Sequence, residues 1–351
     1  MNSTGITFCD APTVPEIPHA MGQPHIDDAL SVGFELYGYR INQVIGHGQI
    51  HISYLAMEMN KGSDQPFQVI LKEYFPCSLV SREPSGVVKP KTAAARSEFE
   101  VGKRHFLREA SFLMAIEHPA LVHVDAVFTK NGSFYMVMPY KSGETLFSIL
   151  NRKRRINQQG LLDLFFSLSE GLEFIHEHGC IHRDLKPSNI FIQESGQPVI
   201  LDFGEARFAD EENLTRLSMI SPGYTPIESY SINFTDQGPW TDIYSLAAVL
   251  YKGITGRAPI DAVERGQKIL KDLEDPYQSL ISVASDQYTL RFLSAVDHGL
   301  CFRAEDRPQS MTDWVAEFDG TVPVWMAAEQ VKKDLLIETA RRSLDFDLNH
   351  S

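Results

Sequence analysis

The segment 180-CIHRDLKPSNIFI-192 sets three chemically different side chains in one short loop before a β-like run. Asp184 is a carboxylate that can accept the proton of a hydroxyl. Lys186, two residues on, is an ammonium that can neutralise a phosphate, and Asn189 offers an amide oxygen to Mg²⁺. Further along, 200-ILDFGEA-206 puts Asp202 at the end of an apolar strand, with Gly204 expected to permit a sharp turn. A carboxylate there can hold the metal that bridges nucleotide phosphates. A bare Asp-Phe-Gly is weak evidence by itself, but the octet HRDLKPSN followed by it at this spacing is not accidental.

These residues need elements to position them. The N-terminal part reads as short β-rich runs: 36-LYGYRINQVIG-46, 50-IHISYLAME-58, 67-FQVILKEYF-75, 123-HVDAVFTK-130 and 133-SFYMVMPY-140. Asn131-Gly132 between the last two is a strong hairpin signal. A helical pattern from about Ser97 to Glu117 interrupts them. After Tyr140 the apolar period turns helical, as in 161-LLDLFFSLSEGLEFIHEHG-179 and in 241-TDIYSLAAVLYKGITG-256, which Gly256 and Pro259 stop. The expected class is α+β, a bilobal outline with a small strand-rich part before a larger helical one. Residues 1–33, with four prolines among small and polar residues, read as a flexible N-terminal extension. Residues 321–351 read as a C-terminal tail, helical and packed back on the protein.

Composition narrows the partners. Of 351 residues, 43% are hydrophobic, which excludes a disordered polymer and suits about two domains or lobes. A net charge of −14 argues against a nucleic-acid partner, whose binding needs cations for the phosphates. No apolar run is long enough to span a bilayer, and no secretory leader is evident. The four cysteines lie far apart without metal or disulfide spacing, so the expected location is a reducing one, the cytoplasm. Oligomeric state is left open.

On these motifs the chain resembles the protein-kinase superfamily, from about Tyr39 to Phe318. Lys186 with Ser188 before Asn189 resembles the serine/threonine branch. The runs 71-LKEYFP-76 and 235-TDQGPWTDIY-244 are similar to the eukaryotic-like (Hanks-type) kinases of bacteria. The resemblance implies a bilobal kinase fold, with an N-lobe over 34–138 carrying a helix αC and a hinge and C-lobe over 139–320. It implies transfer of the γ-phosphoryl of ATP, with Mg²⁺ or Mn²⁺, to a protein serine or threonine. Lys72, in 69-VILK-72, matches the lysine that holds the α- and β-phosphates. Glu98, Glu100 and Glu109 compete as its helix αC partner, and Glu109 fits best because Leu113, Ile116 and His118-Pro119 follow it in the family's arrangement. Asp184 matches the catalytic base, Lys186 the stabiliser of the transferred group, and Asn189 and Asp202 the metal ligands.

The resemblance also assigns a nucleotide set: Ile45, Gly46, Gly48, Ser53, Ile70, Lys72, Pro139, Lys141 and Phe191, with Met138 as gatekeeper. Two departures bear on it. In 45-IGHGQIHIS-53 the third glycine position holds His51, which restricts the loop or adds a donor. Ile70 stands for the family's alanine and Ser53 for its roof valine, so the two volume changes partly offset. From Asp202 to Glu228 runs the activation segment, with Thr215, Ser218 and Ser221 as candidate phosphorylation sites and Ser221 at the P+1 position. A phosphate on Thr215 could bond Arg183 and order the loop. Glu228 with Arg307 matches a buried ion pair, and Asp242 the aspartate that braces the catalytic loop. Two alternatives stay open: a pseudokinase that kept the fold as a binding module, and a small-molecule kinase. The insertion 76–97 has no assigned role.

Overall fold

The structure, a computed structural model, describes residues 28–59, 67–153, 155–208, 220–231 and 236–318. In chain order the strands and helices begin with β1 (Glu35–Leu36), β2 (Tyr39–His47), β3 (His51–Glu58) and β4 (Phe67–Tyr74). Then come β5 (Val80–Arg82), β6 (Val88–Pro90), α1 (Ala93–Ala115), β7 (Ala126–Lys130), β8 (Ser133–Pro139) and β9 (Gly143–Thr145). Next are α2 (Leu146–Lys153), α3 (Gln158–Glu177), β10 (Cys180–Ile181), β11 (Ile190–Gln193), β12 (Pro198–Ile200) and β13 (Arg207–Phe208). The last are α4 (Pro239–Thr255), α5 (Ala262–Ile269), α6 (Leu280–Ala284), α7 (Leu290–Gly299) and α8 (Met311–Glu317). The described residues divide into two units that are not consecutive stretches: 28–148 with 187–208, and 149–186 with 220–318. The lobe boundary expected at 138/139 therefore falls inside the strand-rich unit, which runs on to residue 148 and takes in β9, paired with β11.

The strand-rich unit is built on a six-stranded antiparallel sheet of order β1-β2-β3-β4-β8-β7. The Asn131-Gly132 turn joins β7 to β8 with both residues at positive φ (52° and 79°), as a two-residue hairpin loop demands. Side chains alternate across the strands. One face of β3 and β4 carries His51, Ser53, Ile70 and Lys72, with Ser53 directly opposite Lys72. Helix α1 shares this unit, and Tyr74 stacks on its Phe99 with centroids 5.4 Å apart. Gly102 permits that approach, since a Cβ there would lie 1.8 Å from the Tyr74 hydroxyl.

The opposite face holds a buried charge, Glu73, wholly inaccessible to solvent. It accepts hydrogen bonds from Tyr54 (2.7 Å), Tyr135 (2.6 Å) and the Arg82 guanidinium (2.6 Å). Arg82 belongs to the insertion 76–97, which forms the β5–β6 hairpin and then starts α1. Thr92 caps that helix by accepting from the Ala95 N–H (3.0 Å), so α1 begins at Ala93 rather than near Ser97. The insertion thus tethers the strand bearing Glu73 to the start of α1. Tyr135→Phe is expected to cost about 1.5–3 kcal/mol, the loss of one hydrogen bond to a buried charge. Denaturant unfolding would read this as a lower midpoint at unchanged slope.

The helical unit is organised by α4, nearly all of whose residues are buried. Such all-round apolarity marks a helix enclosed by its neighbours. It ends where Gly256 turns left-handed (φ 83°), as the sequence suggested. Trp314, Phe165, Phe292 and Phe318 fill the space between α3, α7 and α8. The buried Trp314 ring N–H donates to the Ala295 carbonyl (2.8 Å), so its burial leaves no polar group unpaired. No helix among the described residues is long and apolar enough to cross a membrane. Cys77, Cys180 and Cys301 are free thiols.

Candidate active site

In the strand-rich unit, Lys72 is fixed by two carboxylates. Its ammonium donates to Glu109 (2.9 Å) and to Asp202 (2.8 Å). Glu109 is buried on α1, whereas Glu98 and Glu100 are exposed, which resolves the competition among the three. Lys72 and Glu109 side chains are 8% and 6% exposed, and Asp202 is 30% exposed, so of these three groups the Asp202 carboxylate retains an open side. Burial opposes the charge on all of them. For Lys72 the attraction of Asp202 and then Glu109 wins, and its pKa is raised. For Asp202 the Lys72 ammonium, then His51, hold the carboxyl well below the ordinary range, with help from the Gly204 N–H. Glu109 is pushed up by burial, which its bond to Lys72 offsets only partly. The result is a cation and an anion at neutral pH, poised in a poorly hydrated place.

The left-handed conformation is taken by Asp202 (φ 50°), not by Gly204. Aspartate tolerates that region better than most residues. Gly204 contributes room, since a Cβ there would meet Asp202 Oδ1 at 3.2 Å. Asn189 is buried nearby in the chain's fold, and its carbonyl accepts from the Leu201 N–H (2.8 Å), which ties it to the residue before Asp202.

The residues expected to hold the nucleotide lie on the same unit. Gly46 lies opposite Ser53, and the Gly48 N–H closes the β2–β3 turn on the His51 carbonyl (2.8 Å). Ile45 is exposed. Ile70 pairs with Met138, Pro139 with Val69, and the exposed Lys141 follows the end of β8. Phe191 sits in β11 opposite Thr145, and a Cβ on Gly143 would come within 2.8 Å of its ring. Ser53 and Ile70 share a face, so the lost and gained carbon are neighbours across the β3–β4 pair.

In the helical unit a second constellation surrounds Asp184, which is buried. Lys186 donates to both of its oxygens (2.9 and 2.7 Å), and the Ser221 hydroxyl donates to Oδ1 (2.9 Å). Lys186 also donates to Ser221 Oγ (3.1 Å), which closes a triangle of carboxylate, ammonium and hydroxyl. Asp242 accepts from the backbone N–H groups of His182 and Arg183, both at 2.8 Å, and contacts His176 Nε2 (2.8 Å). It fixes the residue before Asp184, Arg183, in a left-handed conformation (φ 70°) that turns the loop sharply. Those donors outweigh burial and lower the pKa of Asp242. Arg307 grips Glu228 through two bonds (2.7 and 3.1 Å).

Sequence reading missed two participants: His176, whose motif gave no sign of its partner, and the hydroxyl role of Ser221 beside Asp184. Thr215 and Ser218 lie outside the described residues. Ser221→Ala is expected to leave nucleotide affinity unchanged and to cost about 1 kcal/mol of stability, one hydrogen bond within the triangle. Thermal unfolding beside nucleotide titration checks both.

Comparison with known proteins adds an independent line. Residues 77–334 match the family described as the protein kinase domain. That range starts beyond Gly46, Gly48 and Lys72, so their placement rests on the geometry above. The chain is 29% identical over 194 residues to a probable serine/threonine-protein kinase, PknB, of Lactococcus lactis, covering 54% of this chain and 30% of that protein. It is 28% identical over 251 residues to the serine/threonine-protein kinase PknA of Mycobacterium tuberculosis, covering 70% of this chain and 53% of that one. It thus spans about a third to a half of the length of these relatives. A solved structure titled "PpkA-294 apo form" superposes with a TM-score of 0.71 at 31% identity, over 83% of this chain and 100% of that one.

Proposed function

The chain belongs to the protein kinase domain family, and from that premise we propose that it is a protein serine/threonine kinase of the bacterial Hanks type, which transfers the γ-phosphoryl of ATP to a hydroxyl. The observation that carries the reading is the Lys72–Glu109–Asp202 set, an ammonium held ready for phosphates beside an ionised carboxylate. In this reading 34–138 serve as the nucleotide lobe and 139–320 as the hinge and acceptor lobe.

Asp202 and Asn189 would hold Mg²⁺ or Mn²⁺. The donor set fits: Asp202 is ionised, partly exposed and joined through Leu201 to the Asn189 backbone. No cluster of three or more acidic, histidine or cysteine ligands occurs among the described residues. That suits an ion which takes one or two carboxylates and completes its shell with phosphate oxygens and water. When bound, it neutralises charge on the transferred group. Lys72 orients the α- and β-phosphates. Asp184 orients the acceptor hydroxyl and takes its proton, a bond forms from that oxygen to the γ-phosphorus, and the bond to the β-bridging oxygen breaks to leave ADP. Lys186, already bound to Asp184, stabilises the transferred anion. Most of the rate gain is positioning and charge stabilisation.

The free thiols support a cytoplasmic location, and the names of the curated relatives favour a protein acceptor over a small molecule or a silent binding role. Phosphorylation of Thr215, Ser218 or Ser221, with Arg183 as phosphate partner, belongs to the same reading. The test is transfer of γ-labelled phosphate from ATP to a generic basic protein, followed by phosphoamino-acid analysis. Label on serine or threonine, absent with Asp202→Ala, is expected. Equal label with that variant, or none with the unaltered chain and either ion, would overturn the reading.

A further inference from the structure

His51 stands where the third glycine of the phosphate-covering loop is expected, and the structure gives its ring a definite place. It opens β3 opposite Tyr74, two residues before Ser53, which lies opposite Lys72. Alternation therefore puts His51 on the same face as Lys72. The ring folds back against the loop: a Cβ on Gly48 would meet Cε1, Nε2 and Nδ1 at 3.0, 3.2 and 3.3 Å. Glycine at 48 is thus what lets the ring lie there. Its Nδ1 is enclosed and has no hydrogen-bond partner among the described residues. An enclosed polar atom without a partner sacrifices its hydration for nothing, so such atoms are rare and usually mark a ligand contact or another functional demand.

The surroundings specify which ligand answers it. The titratable groups that act on the ring are Lys72, Asp202 and His47. Burial, then Lys72, push the imidazole down to about 4, against the pull of Asp202, so the ring is neutral at pH 7 and carries one N–H donor. A neutral donor beside an ammonium suits an anion with several acceptor oxygens, and it avoids the repulsion that an imidazolium would meet from Lys72.

We propose that the Nδ1–H of His51 is a phosphate-recognition group, donating to a non-bridging oxygen of the bound nucleoside di- or triphosphate. A side chain here supplies what a bare glycine backbone leaves to amide groups alone. The inference rests on the reading that this chain binds ATP. It assigns His51 to binding, beside Lys72, and not to the proton transfer.

The test is calorimetric titration of the full chain with Mg-ADP and, separately, with adenosine, which has no phosphate. Three variants are compared: His51→Ala, His51→Asn, whose amide reproduces the Nδ1 donor, and His51→Gln, whose amide reaches toward the Nε2 position instead. Thermal unfolding of each confirms that it is folded. His51→Ala is expected to bind ADP about tenfold or more weakly, the size of a hydrogen bond to a charged group, with adenosine affinity unchanged. His51→Asn is expected to recover most of the loss and His51→Gln little of it. In the unaltered chain, the ¹⁵N resonance of Nδ1 is expected to shift with ADP and not with adenosine. His51→Ala that binds ADP as tightly as the unaltered chain, or more tightly, overturns the inference and makes the ring an obstruction. Equal losses for ADP and adenosine overturn it too, since the loop has then changed shape. An unaltered chain that binds neither ligand overturns the ATP reading itself, a result distinct from both.

Discussion

Asp184→Asn is expected to lower turnover by about 10²–10⁴-fold while nucleotide affinity stays within about twofold of the unaltered chain. The carboxylate accepts from Lys186 and from the Ser221 hydroxyl, and an amide keeps the shape but cannot take a proton. Steady-state kinetics beside a nucleotide titration separate the two effects. A fall in turnover with unchanged affinity assigns Asp184 to the reacting hydroxyl. Equal loss of both would make it a structural member of its loop, since the base has no other reason to touch nucleotide binding.

Lys72→Met carries the second large effect. It removes the cation that bridges Glu109 and Asp202 and leaves two carboxylates facing an apolar side chain. Breaking a buried pair by deleting one partner costs about 3–5 kcal/mol, because the surviving charge is uncompensated. Nucleotide affinity should fall with it. The pH dependence has a definite sign. In the unaltered chain the depressed pKa of Asp202 contributes stability above the ordinary carboxylate range, and this is lost as pH falls through the depressed value. In the variant, burial and mutual repulsion raise both carboxyls above their unfolded values, so a penalty present at neutral pH is relieved by protonation. The stability gap between the two proteins is therefore expected to narrow between pH 8 and pH 4. A gap independent of pH would mean that Lys72 does not interact with these groups in solution.

How much of this was legible in the sequence depends on the range of the interaction. Local chemistry was plain: the Asn131-Gly132 turn shows both positive φ values, and Gly256 stops α4 in the left-handed form. So were the loop motifs, because the 184–189 spacing lies within a single turn of chain. What escaped was the long-range pairing of polar groups that the resemblance does not assign, since Lys72–Glu109 and Glu228–Arg307 follow from it. Glu73 meets Tyr54, Arg82 and Tyr135, and nothing in the residue pattern FQVILKEY marks its carboxylate as buried. The same holds for Ser221, whose hydroxyl finds Asp184 only through the fold. The insertion 76–97 has no role legible in its residues, yet it supplies Arg82 and the cap of α1. At the turn after β12 the sequence marks Gly204, but not that Asp202 takes the left-handed angle.

The most direct measurement is calorimetric titration of the chain with ATP, with and without Mg²⁺ or Mn²⁺, repeated for Asp202→Ala and Asn189→Ala. Binding that strengthens when a divalent ion is present, with the strengthening lost in both variants, is the expected result. No heat of binding at millimolar ATP with either ion, or an affinity indifferent to ion and variant alike, would contradict a phosphate site organised by these residues.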